Sequence, residues 1–168
     1  YLETNKRIDE TISIVILLGT KGATSMIGRT DGFMEVAKKH PNWKIVAKED
    51  ADYTTAKGRE VMKRMLTVHK DIDVVVSQND DMTFGAMEAI EEAGLTTGVN
   101  GDITLISFDA CKIALEMVAE EKINVDIECN PNQGEYVEEI IQAIEAGTLN
   151  GKEFYVAEQV FDRKNVLE

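Results

Sequence analysis

The sequence is short of the residues that build disulfide-held, metal-held or membrane-held proteins. Its two cysteines, Cys111 and Cys129, are too few for a disulfide framework and lack the CxxC spacing of zinc or redox sites. Long apolar runs are missing: the longest, Ile14 to Leu18, falls far short of the ~20 residues of a membrane span, so no direct membrane insertion is expected. Positive charge is scarce. Lys and Arg number 18 against 31 Asp and Glu, a formal net charge of −13, which speaks against nucleic acid and against an anionic membrane surface as partners. Only two prolines are present, and no Pro/Gly/Ser-rich linker, repeat or low-complexity tract breaks the chain. An initiator Met is also missing: Tyr1 opens the sequence with no basic and apolar leader before the body, so the chain reads as cut from something longer.

What is there is ordinary globular material. Hydrophobic residues make up 43% and charged residues 29%, and 168 residues match the ~100–200 of one domain. Apolar, β-branched runs alternate with helical periodicity. Strands are predicted at Ile12 to Leu18, Trp43 to Ala47, Ile72 to Ser77, Ile103 to Ser107 and Ile123 to Glu128, with one more over Phe154 to Phe161. Helices are predicted at Ser25 to His40, ended by Pro41, and after a Thr54 or Thr55 cap with Val61, Met62, Met65 and Leu66 inward. Others run from Asp80 or Asp81 to Gly94, around Ile113 to Glu121, and from about Gln133 to Ala146. This rhythm defines an α/β fold, a doubly wound parallel sheet with helices on both faces.

Such sheets bind ligands at the carboxyl ends of their strands, near the switch point in strand order. The loops there carry Gly19-Thr20-Lys21-Gly22 with Arg29 beyond, Asp50-Ala51-Asp52-Tyr53, Gln78-Asn79-Asp80-Asp81, and Phe108-Asp109. An Arg fork, an amide, a carboxylate and an aromatic face together suit a neutral polyol. Each also has a plainer reading: Arg29 in water, Tyr53 covering the sheet edge, Asn79, Asp80, Asp81 and Asp109 as helix caps. Trp43 reads as strand packing, Met62, Met65, Met82 and Met87 as core filler, and His40 and His69 as helix-end cations.

Enzyme signatures are thin. Gly19, Gly22 and Gly28 do not fit GxGxxG, no GxxxxGK[ST] or GxSxG occurs, and neither cysteine has an evident His partner. Residue chemistry alone leads to a polar small-molecule site on an α/β domain.

At these loops the sequence resembles the periplasmic sugar-binding proteins of ABC importers, in the ribose/galactose-binding superfamily. The resemblance rests on Gly19-Thr20-x-Gly22, Arg29 and Gly32-Phe33. It continues through Asn79-Asp80-x-Met82, Gly85-Ala86, Ala89-Ile90 and Ala93-Gly94-Leu95, then Phe108-Asp109, then Pro131 with Gln133-Gly134. Gly19-Thr20-Lys21-Gly22 and Asn79-Asp80-Asp81-Met82 are most similar to the galactofuranose-type branch.

The resemblance implies one lobe, the carboxyl-terminal one, of a type I periplasmic-binding-protein fold. Residues 1–168 would form a single sugar-binding lobe, with 130–150 a hinge crossing and helix that would belong to the absent amino-terminal lobe. It implies that Arg29, Asn79 and Asp109 hydrogen-bond a pentose or hexose and that Tyr53 stacks on it. Cys129 falls where relatives place an amide near the hinge, so Asn130 beside it is the substitute contact. Implied too are solute capture without catalysis, no cofactor or metal, an ABC permease as partner of the full-length parent, and an extracytoplasmic location, periplasmic or as a cell-surface lipoprotein. The alternative within the same fold is the effector-binding lobe of a LacI-type transcriptional regulator or a sugar-sensing receptor. Without its second lobe, the apolar stripe of the 133–146 helix is expected to pair two copies as a homodimer.

Overall fold

The computed structural model describes residues 1–5 and 10–167. Twelve elements follow in chain order: α1 (Leu2–Asn5), β1 (Ile12–Leu18), α2 (Thr24–Ala37), β2 (Trp43–Asp50), α3 (Thr55–Val68), β3 (Val74–Ser77), α4 (Asp80–Glu92), β4 (Thr104–Asp109), α5 (Lys112–Ala119), β5 (Val125–Glu128), α6 (Gly134–Glu145) and β6 (Val160–Phe161). The strands form one sheet in the order β2-β1-β3-β4-β5-β6, and the five longer strands are parallel. The chain steps from β1 outward to β2, then returns past β1 to β3. That reversal is the switch point, and it lies between β1 and β3.

Alternation along β1 divides the core in two. Ile12, Ile14 and Ile16 pack with Val74 and Val76 on the face that receives α1 and α2, through Leu2, Phe33 and Met34. Val15 and Leu17 point the other way, with Val75 and Leu105, into a larger core shared with Val61, Met62 and Met65 of α3, Met82 and Ile90 of α4, and Val118 of α5. Side chains two apart share a face, so an uninterrupted β-branched run fits only a strand covered on both sides. Edge strand β2 instead alternates half-buried and exposed along its length. Helices α3 and α4 cross closely because glycines stand at the contact: a Cβ at Gly58 would lie 2.5 Å from the Met82 carbonyl oxygen, and one at Gly85 2.7 Å from the Arg59 nitrogen.

Trp43 packs as a strand residue, its ring stacked on His40 at 4.1 Å and on Phe33 at 6.3 Å. Two expectations need correcting. The strand anticipated over Phe154 to Phe161 shrinks to the two residues of β6, which pairs antiparallel with β5. Only Val160 and Phe161 find open partners there, opposite Ile127 and Asp126. The helix after β3 is capped by Asn79, whose Oδ1 accepts from the Met82 N–H at 3.0 Å, and not by either aspartate that follows. Asp80 is turned inward and Asp81 outward. Helix α6 buries none of its residues, leaving Tyr136, Val137, Ile141 and Ile144 exposed.

Candidate functional site

The carboxyl ends of β1, β3 and β4 bring the predicted residues together around one guanidinium. Arg29, in the second turn of α2, donates from Nη2 to Asp109 Oδ1 at 2.8 Å and from Nη1 to the Gln78 carbonyl. Its Cζ lies 5.0 Å from the centre of the Phe108 ring, a cation–π contact. The Arg29 side chain is 14% exposed and that of Asp109 38%, so the acid end of the pair faces outward and the cation is held beneath it. Burial pushes the Asp109 carboxyl above the usual range, with Asp80 and Asp81 adding to the rise and Arg29 opposing it.

Gln78 is the residue the sequence reading passed over. Fully buried, it accepts from the Gly19 N–H through Oε1 at 2.9 Å and donates through Nε2 to Thr30 Oγ1 at 2.7 Å and to the Met26 carbonyl at 3.2 Å. It ties the β1–α2 loop, the start of α2 and the end of β3 into one body at the switch point. A lone glutamine after a strand carries no pattern that announces this.

Tyr53 sits on the same edge, its hydroxyl 2.8 Å from Ser25 Oγ and its carbonyl accepting from Asn79 Nδ2 at 3.4 Å. Tyr53 and its neighbour Asp52 both have left-handed backbones, φ 55° and 54°. Asp52 Oδ1 accepts from the Thr20 hydroxyl at 2.7 Å, which joins the β1–α2 and β2–α3 loops. Asn79 thus divides its amide: Oδ1 caps α4, and Nδ2 reaches the Tyr53 carbonyl.

Cys129 and Asn130 follow β5 immediately beside Asp109. The Cys129 N–H donates to the Asp109 carbonyl at 3.3 Å, and the thiol is exposed and free. Asn130 spends Oδ1 on the Asn132 N–H at 2.9 Å, a local turn. Arg29, Asn79, Asp109 and Tyr53 are therefore one cluster, and Cys129 and Asn130 form its flank. Among the described residues no group of three or more His, Cys, Asp or Glu side chains is placed to hold a metal ion, and no helix is long and apolar enough to cross a membrane.

A mostly parallel sheet covered by helices, with an Arg–Asp pair, an amide and an aromatic gathered at its switch-point loops, has the α/β architecture of a type I periplasmic-binding-protein fold. Residues 3–149 match the periplasmic binding protein domain family, and the chain belongs to it. It is 38% identical over 123 residues to the galactofuranose-binding protein YtfQ of Escherichia coli, covering 71% of this chain and 38% of that protein. A Mycobacterium smegmatis structure in complex with β-D-fucofuranose superposes with a TM-score of 0.86 at 36% identity, over 99% of this chain and 54% of that one. The periplasmic binding component of the Shewanella sp. ANA-3 arabinose ABC transporter, bound to α- and β-L-arabinofuranose, matches with a TM-score of 0.83 at 33% identity, over 94% of this chain and 52% of that one. The chain thus spans about half or less of each of these relatives.

Proposed function

We propose that this chain forms one wall of a sugar cleft in an extracytoplasmic solute-binding protein of an ABC importer, holding a furanose sugar without chemistry. The observation that carries the reading is the outward-facing carboxylate of Asp109, kept in place by a partly buried Arg29. An Arg–Asp pair at a sheet edge offers N–H donors and carboxylate acceptors side by side, which is what vicinal hydroxyls need. Tyr53 extends the aromatic rim, buried Asn79 braces it from beneath through the Tyr53 carbonyl, and Asn130 with Cys129 closes its flank. The furanose form is favoured because three similar proteins are described with five-membered-ring sugars: galactofuranose, fucofuranose and arabinofuranose.

In this reading 130–150 is a crossing toward a second lobe that supplies the opposite wall, and an ABC permease receives the loaded protein. The test is a thermal-shift screen of L-arabinose, D-galactose, D-fucose and D-ribose against the full-length parent, since a ligand that binds only the native state raises its apparent stability. A shift with one of these sugars, abolished by Asp109→Ala, supports the reading. No shift with any of them, or one that survives both Asp109→Ala and Arg29→Ala, refutes it.

A further inference from the structure

Beneath the Arg29–Asp109 pair lies a second pair of acids that the sugar reading does not use. Asp126, in β5, is 0% exposed, and Asp80, at the start of α4, is 3% exposed. Asp80 has one donor on each oxygen and lone pairs to spare: Ser107 Oγ donates to Oδ1 at 2.6 Å and the Cys111 N–H to Oδ2 at 2.8 Å. The Thr83 hydroxyl, 2.7 Å from Ser107 Oγ, extends that network. Asp126 Oδ1 receives the Ala110 N–H at 3.3 Å, but its Oδ2 is buried with no donor facing it. Burying an ionised carboxylate oxygen without a donor is among the costliest arrangements in a protein, and a proton on that oxygen removes the cost.

The amides these acids hold belong to the loop between β4 and α5, where Asp109 and Ala110 both have left-handed backbones, φ 116° and 57°. Two consecutive non-glycine residues there are strained, and such a turn persists only when its surroundings fix it. The Ala110 and Cys111 amides are the fixing points, one on each acid.

We infer that Asp80 and Asp126 share one proton, carried by Asp126, and that this singly charged pair is the positioning element that aims Asp109 at the ligand face. The inference rests on the sugar-site reading only for the purpose Asp109 serves. A neutral Asp126 can donate to the Asp80 carboxylate while its other oxygen keeps the Ala110 amide, so each buried polar atom is paired. Burial, with the neighbouring Asp80 charge and its hydrogen bond, pushes the Asp126 carboxyl up to about 8, in the direction this arrangement requires. The ionisable groups around Asp126 are Asp80 from α4 and Asp109 from the end of β4. Beyond them Asp81 acts on Asp109, Arg29 from α2 pairs with Asp109, and Cys111 at the head of α5 sits against Asp80. The groups acting directly on Asp126 include no cation, so loss of its proton places two unneutralised charges together under the loop.

Carboxyl-carbon NMR on the ligand-free 13C-labelled chain, titrated from pH 5 to 10, tests this with no sugar present and so independently of the proposed function. Asp126 is expected to be protonated at pH 6 and to ionise near pH 8, with the Ala110 and Cys111 amides and the Asp109 carboxyl moving at the same midpoint. Asp126→Asn mimics the neutral acid. It is expected to hold the low-pH loop signals up to pH 10, whereas Asp126→Ala displaces them at every pH. An Asp126 already ionised at pH 6, a titration that leaves Ala110, Cys111 and Asp109 unmoved, or an Asn variant that keeps the inflection would each overturn the inference. Should Asp126→Ala fail to fold, the wild-type and Asn titrations decide the matter alone.

Discussion

The ring of Tyr53 packs against Gly19, so close that a Cβ there would lie 1.9 Å from the ring's Cζ. One residue closes β1 and the other closes the loop after β2, and their contact sets how far the aromatic leans over the site. Gly19→Ala is expected to push Tyr53 away and to weaken sugar binding by the full-length parent at least tenfold. It should also lower stability by about 1–3 kcal/mol, as overpacking does. Tyr53→Phe keeps the ring and loses only the 2.8 Å contact with Ser25, so about 1 kcal/mol of stability should go and most of the affinity should stay. Calorimetry and denaturant titration of the two variants separate the effects; equal affinity losses would mean the hydroxyl, not the ring, does the recognising.

Asp109→Ala should weaken sugar binding by ~1.5–3 kcal/mol, the range for hydrogen bonds to a charged group. It also strands Arg29, which keeps only the Gln78 carbonyl and the Phe108 face. Arg29→Ala leaves Asp109 half in water, so it should cost less in stability than the reverse truncation. Titration calorimetry showing unchanged affinity in both variants would move the pair to a purely structural role.

Much of this was legible in the sequence, and the exceptions have physical causes. The β1 run and the α3 stripe could be read because a two-sided strand and an amphipathic helix leave periodic signatures, and Val61, Met62 and Met65 are buried as that period requires. Arg29, Asn79, Tyr53 and Asp109 could be nominated because the strand-end rule says which loops matter. Asp80 and Asp81 could not be told apart, since adjacent acids in a first turn look alike until the neighbouring strand supplies Ser107 for one of them. Asp126 was invisible for a related reason: an acid inside a strand reads as the solvent face. Here that face meets Asp80. Gln78 became important only through partners 48 to 59 residues away.

Stability should peak in mildly acidic solution. Burial raises Asp109 and Asp126, so the folded chain keeps protons that the unfolded chain releases from about pH 4. Both contributions are complete below that range and weaken as pH rises: that of Asp126 is lost as pH climbs through about 8, while that of Asp109, more than a third exposed, is smaller because solvent screens it. Exposed carboxylates work the other way. Arg59 and Lys63 hold Glu92 low, and Thr96 holds Asp102 low, so their stabilisation is lost as pH falls through their folded values. Urea titrations across pH 3–9 should show a maximum between about 4 and 6, and Asp126→Asn should flatten the alkaline limb. A wild-type curve still rising from pH 6 to 8 would contradict the assignment.

The last prediction concerns α6. Val137, Ile141 and Ile144 are spaced four and three residues apart, which puts them on one face of the helix, and Tyr136 flanks them; all four are exposed. Each large apolar side chain left in water forgoes roughly 1.5–3 kcal/mol, so the stripe gains from any apolar partner. When the 168-residue chain is studied alone, the available partner is a second copy, and one self-complementary patch on two copies closes as a twofold dimer. The net charge of −13 opposes that association at long range. Salt screens such repulsion and leaves the apolar contact intact, so the dimer should tighten between 20 and 500 mM NaCl. Light scattering at about 100 μM is expected to give twice the monomer mass, and Ile141→Glu, with a charge set in the middle of the stripe, should return the monomer. On the proposed reading the chain supplies one wall of a cleft, so its own affinity for L-arabinose or D-galactose should be millimolar or weaker. A strict monomer at high salt would remove the dimer, and micromolar sugar binding by the 168-residue chain would show that one wall suffices.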